Sequence, residues 1–194
     1  MNSKVKVLIF KKRGECIIGG IILLLHLGVG AYFDVKEHKI PNWLMLFGIG
    51  NGLLLTGLEA WVLTSDINIL TEPVFFLLRI VLVTALFFVL FLCRMIGAGD
   101  IKMAALICGY MGLQTGAIAI FSGFLIGTIW SLIKMIGNGI LIYRFSCLLT
   151  YIRYVFQTGK ITAYYRSERD GYDMVIPFGF CLFVGTLITL AVLQ

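Results

Sequence analysis

Apolar runs of about 20 residues recur five times along the chain, near 16–33, 43–63, 73–93, 116–136 and 175–193. A run of that length matches the hydrocarbon thickness of a bilayer. Inside hydrocarbon each backbone N–H and C=O must find its partner within the protein, which a helix provides along its own length. A sixth, shorter run extends from 101 to about 113. Of the 194 residues 60% are hydrophobic and 13% charged, against an apolar share of about 45–50% in soluble domains. The fold class that follows is an all-α integral membrane protein: one membrane-embedded domain over residues 1–194, built as a bundle of about six transmembrane helices. No length remains for a second large soluble domain. Span two carries Trp43 and Trp61 at its ends, roughly 27 Å apart at 1.5 Å per residue, the spacing of an aromatic belt.

The net charge of +6 does not point to nucleic acid, because the bases stand at the ends of apolar runs, where charge sets membrane orientation. The lipid bilayer is the expected partner, and no nucleic acid is. Lys4, Lys6, Lys11, Lys12 and Arg13 precede the first run like the start of a secretory signal, but no small-residue cleavage site follows. The run is therefore expected to stay as the first span. With the N-terminus outside, ten bases lie at inner loops and inner helix ends, from Lys36 and Lys39 to Arg166 and Arg169, against five outside. The positive-inside rule favours that orientation, with the bases on the cytoplasmic side of a membrane crossed several times.

The connections differ in character. Residues 34–42 form a charged turn in which Pro41 biases Ile40 away from helix and Asn42 can cap the next span. Residues 64–72 carry acids and no bases. The longest connection, 137–174, contains an apolar, aromatic stretch from Ile140 to Phe156 that includes Arg144 and Arg153. That pattern predicts an interfacial amphipathic helix on the cytoplasmic side before the last span.

Against this apolar background two aspartates stand out. Asp34 ends span one, and Asp100 opens span four within Gly97-Ala98-Gly99-Asp100-Ile101-Lys102. An ionisable side chain at the centre of a spanning helix costs about 2.5–3.5 kcal/mol, and less near its end, so each calls for a function. Two further crossings separate them, which places both at one membrane face. The run after Asp100 covers only about 20 Å, so this carboxylate is expected below the headgroups. Gly97 and Gly99 lack side chains and would let another backbone come close. Two close carboxylates share one proton near neutral pH; the ionised one activates water and the protonated one hydrogen-bonds a carbonyl. A helix N-terminus favours the anion at Asp100, and a helix C-terminus does not at Asp34. This makes Asp100 the expected base and Asp34 the proton carrier.

Other polar residues read as structural. Lys36 and Lys102 each follow an aspartate by two positions, off its helical face, and are expected to snorkel to headgroups. His38 reads as a solvated loop residue, and Arg79 as pairing or snorkelling within the bundle. Cys16, Cys93, Cys108, Cys147 and Cys181 form no Cys-x-x-Cys pair and most lie in apolar runs, so neither a metal site nor any other cofactor is expected.

Three blocks carry a resemblance: Asp34-Val35-Lys36 with Lys39-Ile40-Pro41-Asn42, then Gly97 through Lys102, then Ile176-Pro177-Phe178-Gly179 before the last span. Together they resemble the type IV prepilin peptidases, aspartic membrane proteases of the Gly-x-Gly-Asp type. The resemblance implies Asp34 and Asp100 as the catalytic pair, with Gly97, Gly99, Lys36, Lys102, Pro41, Asn42, Pro177 and Gly179 supporting the site. It also implies cytoplasmic cleavage, just after a glycine, of the short basic leader of prepilins or pseudopilins. Larger bacterial members place a domain with paired Cys-x-x-Cys motifs between the first two spans and also N-methylate the new terminus. Here that interval holds only a short turn, so the chain is similar to the short form and methyl transfer is not expected of it. Phe180-Cys181 stands where many members have a proline. Two other classes remain open: a proton-coupled transporter using the aspartates as an ion site, and an inactive structural subunit of pilus assembly. Ion sites usually lie on broken helices at mid-membrane within repeated halves, and no repeat is visible here. The Pro-Ala-Leu of the presenilin-like group is absent.

The topology is directly testable. Cysteine labelling should find 35–41 and 158–172 on the cytoplasmic side and 64–72 outside; a thiol at Ser65 labelled only from the cytoplasm would reverse the orientation.

Overall fold

The structure, a computed structural model, describes residues 3–63, 70–93, 96–137, 139, 141–158 and 176–193. These form seven helices: α1 Ser3–Glu37, α2 Asn42–Leu63, α3 Thr71–Leu92, α4 Ala98–Met111, α5 Leu113–Gly137, α6 Leu141–Thr158 and α7 Phe178–Leu193. The segment 64–69 and the basic residues Lys160, Arg166 and Arg169 lie outside the described residues.

Each expected span is present as a helix, with two differences. First, α1 begins at Ser3, well before residue 16. Lysine and arginine are good helix formers and no proline intervenes, so the basic N-terminal residues continue the helix of the first span. Second, the six spans divide into four that are long and apolar enough to cross a bilayer, Ile18–Glu37, Asn42–Trp61, Thr71–Leu92 and Leu113–Gly137, and two shorter ones, α4 and α7, of 14 and 16 residues.

Helix α4 is short because it is the core. It packs against α1, α2, α3, α5 and α7, and its residues from Met103 to Gly109 are all buried. Small residues at Ala104, Ala105, Cys108 and Gly109 admit these neighbours: Phe76 of α3 wedges between Gly109 and Gly52 of α2 and meets Tyr110 edge-on at 5.5 Å. A helix wrapped by protein need not reach both interfaces, because its end groups meet protein and not lipid. At its C-terminal end, Arg79 of α3 donates to the Gly109 carbonyl at 3.5 Å, so this arginine does find its partner within the bundle. The Tyr110 hydroxyl donates to the Gly48 carbonyl at 2.8 Å. Gly112, with φ of 81°, then turns the chain straight into α5.

α5 and α7 make the closest pair. Gly123 and Gly185 bring the two backbones together, and Ser122 Oγ donates to the Gly185 carbonyl at 3.0 Å. Between helices in lipid, where hydrophobic burial contributes little, such small-residue contact and hydrogen bonding carry the association. A side chain at 185 would run into the Gly123 backbone. Gly185→Leu should therefore lower the thermal unfolding midpoint in detergent, an overpacking cost of about 1–3 kcal/mol. Gly50→Leu, where a Cβ meets nothing within 4 Å, should leave the midpoint unchanged or higher.

Candidate active site

Asp34 lies in the last turn of α1. The helix ends there because His38 adopts a left-handed conformation, φ 51°, and its N–H closes on the Asp34 carbonyl at 3.1 Å. Histidine is among the few side chains that adopt this region with any frequency. Pro41 then precedes α2. The turn leaves Asp34 facing the bundle with 9% of its surface exposed.

The Asp34 carboxylate is held by the other end of the chain. Gly179 N–H donates to its Oδ2 at 2.7 Å, and the Phe180 N–H lies close enough to act on the same carboxylate. These are first-turn N–H groups of α7, which have no partner within their own helix. Pro177, just before α7, has no side-chain acceptor, and the carboxylate from α1 takes the capping role. Gly179 is required by contact: a Cβ there would lie 3.0 Å from Asp34 Oδ2 and 3.2 Å from Met103 Sδ.

Asp100 occupies the third position of α4, and its Oδ2 would lie 3.1 Å from a Cβ on Gly97, the residue that begins the helix in an extended conformation, φ −71° and ψ 147°. This is the position of the acidic half of a capping box. The two carboxylates lie close enough for their charges to act on each other, and the Cys181 thiol is within electrostatic reach of both. Beneath them, Met103 and Cys181 are fully buried. Asp100 itself is half-buried, the more open member of the pair. Phe178, at the start of α7, packs on Phe124 with ring centroids 4.9 Å apart and tilted by 54°, and lies level with Gly127 of α5. α5 runs on to Gly137, about 15 Å further, so the carboxylates sit recessed from that helix end.

The supporting residues divide into two groups. Gly97, Gly99, Pro41, Asn42, Pro177 and Gly179 gather around the turn and the two helix starts. Gly99 is the seat of the Ile40 side chain: a Cβ there would lie 3.0 Å from Ile40 Cβ. Lys102 Nζ donates to Asn42 Oδ1 at 2.6 Å and ties the start of α4 to the start of α2, where snorkelling to headgroups was expected. Lys36 lies over the Tyr32 ring at 5.7 Å, on the exposed side of α1. His38 is exposed, as a solvated loop residue should be, yet it carries the turn and its side chain acts electrostatically on Asp34. The expected contrast in dipole environment also disappears, since α7 presents Asp34 with a helix N-terminus of its own. Sequence reasoning missed Ile40, Met103, Phe180 and Cys181 as site neighbours. Only Met103 had a local signal, standing three positions after Asp100 on the same helical face. Among the described residues no three His, Cys, Asp or Glu side chains gather as a metal cage.

Residues 21–132, more than half of the chain, match the sequence model of the type IV leader peptidase family. The chain belongs to that family. Both aspartates fall inside the matched segment, whereas the Gly179 clamp lies beyond it. No curated protein and no solved structure matches the chain. As a type IV leader peptidase-like protein it is a hydrolase carried by a helical bundle in which, among the described residues, four helices are long and apolar enough to cross a membrane.

Gly99→Val should displace Ile40 and abolish peptidase activity while the protein still inserts and accumulates, read by a cleavage assay beside membrane yield. Gly179→Ala should also lower activity by pushing on Asp34 Oδ2. Full activity in both would mean that the glycines only fill space.

Proposed function

We propose that this chain is an aspartic endopeptidase that removes the short basic leader of type IV prepilins or pilin-like pseudopilins at the cytoplasmic face of the inner membrane, with Asp34 and Asp100 as its catalytic pair. The observation that carries the proposal is the meeting of two carboxylates from α1 and α4, one of them locked by the first N–H groups of α7. Capping alone would need only an acceptor oxygen, which asparagine supplies equally well. Two acids placed within each other's field are costly unless the chemistry uses their shared proton.

The pair acts as a unit. Asp34 Oδ2 accepts the Gly179 N–H, and the shared proton belongs to the pair rather than to either residue. A water between the carboxylates gives one proton to the ionised member as its oxygen attacks the scissile carbonyl carbon. The protonated member donates to the carbonyl oxygen, forming a neutral tetrahedral diol. Collapse of the diol breaks the C–N bond as the proton taken from water passes to the leaving amine and the other, now ionised, member takes back a diol proton. Asp100, more open than Asp34, meets the substrate from the recessed face. Gly97 and the Gly99–Ile40 contact hold its helix start, Lys102 and Asn42 brace the α2–α4 edge, and Lys36 lies on the lipid-facing flank.

Asp34→Asn and Asp100→Asn preserve shape and capping oxygen but remove the ionisable group. Each should reduce leader cleavage at least about 10²-fold, with the double variant no worse than either single. The test is cleavage of a purified prepilin in detergent by wild type, both singles and the double. The pH profile should be bell-shaped, both limbs belonging to the pair, and chelators should have no effect. Substantial cleavage by either single variant would rule the mechanism out. Altered ion flux with intact cleavage would favour a transporter.

A further inference from the structure

Helix α6, Leu141–Thr158, has no part in the peptidase reading. At 100° per residue its apolar side chains fill one arc of about 140°, running from Val155 through Ile152 and Phe156 to Ile142. Arg144 and Arg153 take the positions about 20° beyond the two opposite edges of that arc. The remaining face carries Ser146, Thr150, Gln157 and Thr158 together with Cys147, Tyr143, Tyr151 and Tyr154. Two arginines in 18 residues set α6 apart from the four crossing helices. Of the helices it also makes the slightest tertiary contact, with α5. The described side chains of the arc are exposed: Ile142 83%, Phe156 87%, Leu149 57% and Ile152 41%.

The chain fixes which membrane face α6 lies at. α5 starts beside the far end of α4, at Gly112, and runs back to the carboxylate end of the bundle. α6 follows it there, and the next described residues, 176–179, lie against Asp34. The start of α6 thus lies at the face on which the carboxylates open.

We propose that α6 lies in the membrane interface beside the candidate active site and binds anionic phospholipid, its apolar arc among the acyl chains and Arg144 and Arg153 on phosphodiester headgroups to either side. Charge complementarity selects this occupant. A protein groove would meet α6 from one direction, whereas headgroups surround an interfacial helix and can serve a cation on each edge at once, with the arginine stems lying along the apolar surface and the guanidinium groups reaching outward. The inference stands apart from the peptidase reading, and none of its readouts uses cleavage.

Two measurements on the full chain test it in vesicles. The first compares spin-labelled phosphatidylglycerol with spin-labelled phosphatidylcholine as lipid restricted at the protein surface. Wild type should prefer phosphatidylglycerol, and Arg144→Gln/Arg153→Gln should lose a measurable part of that preference with unchanged helix content; equal preference in both proteins would overturn the proposal. The second labels single cysteines with an aqueous maleimide. Ile142→Cys and Leu149→Cys should react several-fold more slowly than Ser146→Cys and Thr150→Cys, and equal rates on the two faces would overturn the interfacial placement. Efficient disulfide cross-linking between two chains at Leu149→Cys would assign the arc to a second copy instead and would also overturn it.

Discussion

A single hydrogen bond closes the bundle: Gly179 N–H to Asp34 Oδ2, 2.7 Å long and joining residues 145 apart in sequence. It places the C-terminal end of α1 against the N-terminal end of α7. The arrangement answers two needs together. A buried carboxylate needs donors in a medium that has none to spare, and the opening N–H groups of α7 need an acceptor that Pro177 cannot supply. Neither end would be stable there alone, so each fixes the other, and the position of Asp34 is set by the docking of the last helix.

The second constraint is the burial of α4. With neighbours on every side it contributes no lipid-facing surface of its own, and its 14 residues span about 21 Å. Its start, and with it Asp100, consequently sits below the end of α5, which runs on past that level. Met103 and Cys181 are fully buried and close the site from below. The short central helix and the recessed acid are one structural fact. The tight α5–α7 pair, built on Gly123 and Gly185, then holds the α7 start rigidly where Asp34 needs it.

The membrane-facing parts follow a different logic. α1, α2, α3 and α5 present large apolar side chains to lipid and keep polar groups inward, as with Arg79 on the Gly109 carbonyl. α6 departs from this pattern, with its arginines at the edges of an apolar arc, and so its environment differs from theirs.

Much of this was legible in the residues alone. Run lengths specified the helices and their order, because hydrocarbon forces backbone satisfaction within each run. Helix parity put Asp34 and Asp100 at one face, and three short blocks carried the family resemblance that the match over 21–132 bears out. The alternation of arginines and apolar residues in 141–158 announced an amphipathic helix. What the sequence could not supply were contacts between residues far apart in it. The capping of α7 by Asp34, the seating of Ile40 on Gly99, the link from Lys102 to Asn42 and the approach of Cys181 to both acids each depend on which helix faces which. Periodicity in an apolar helix does not encode that choice, because lipid and protein neighbours are equally hydrophobic. The choice is made by where small residues let backbones meet, and only the packed bundle reveals it.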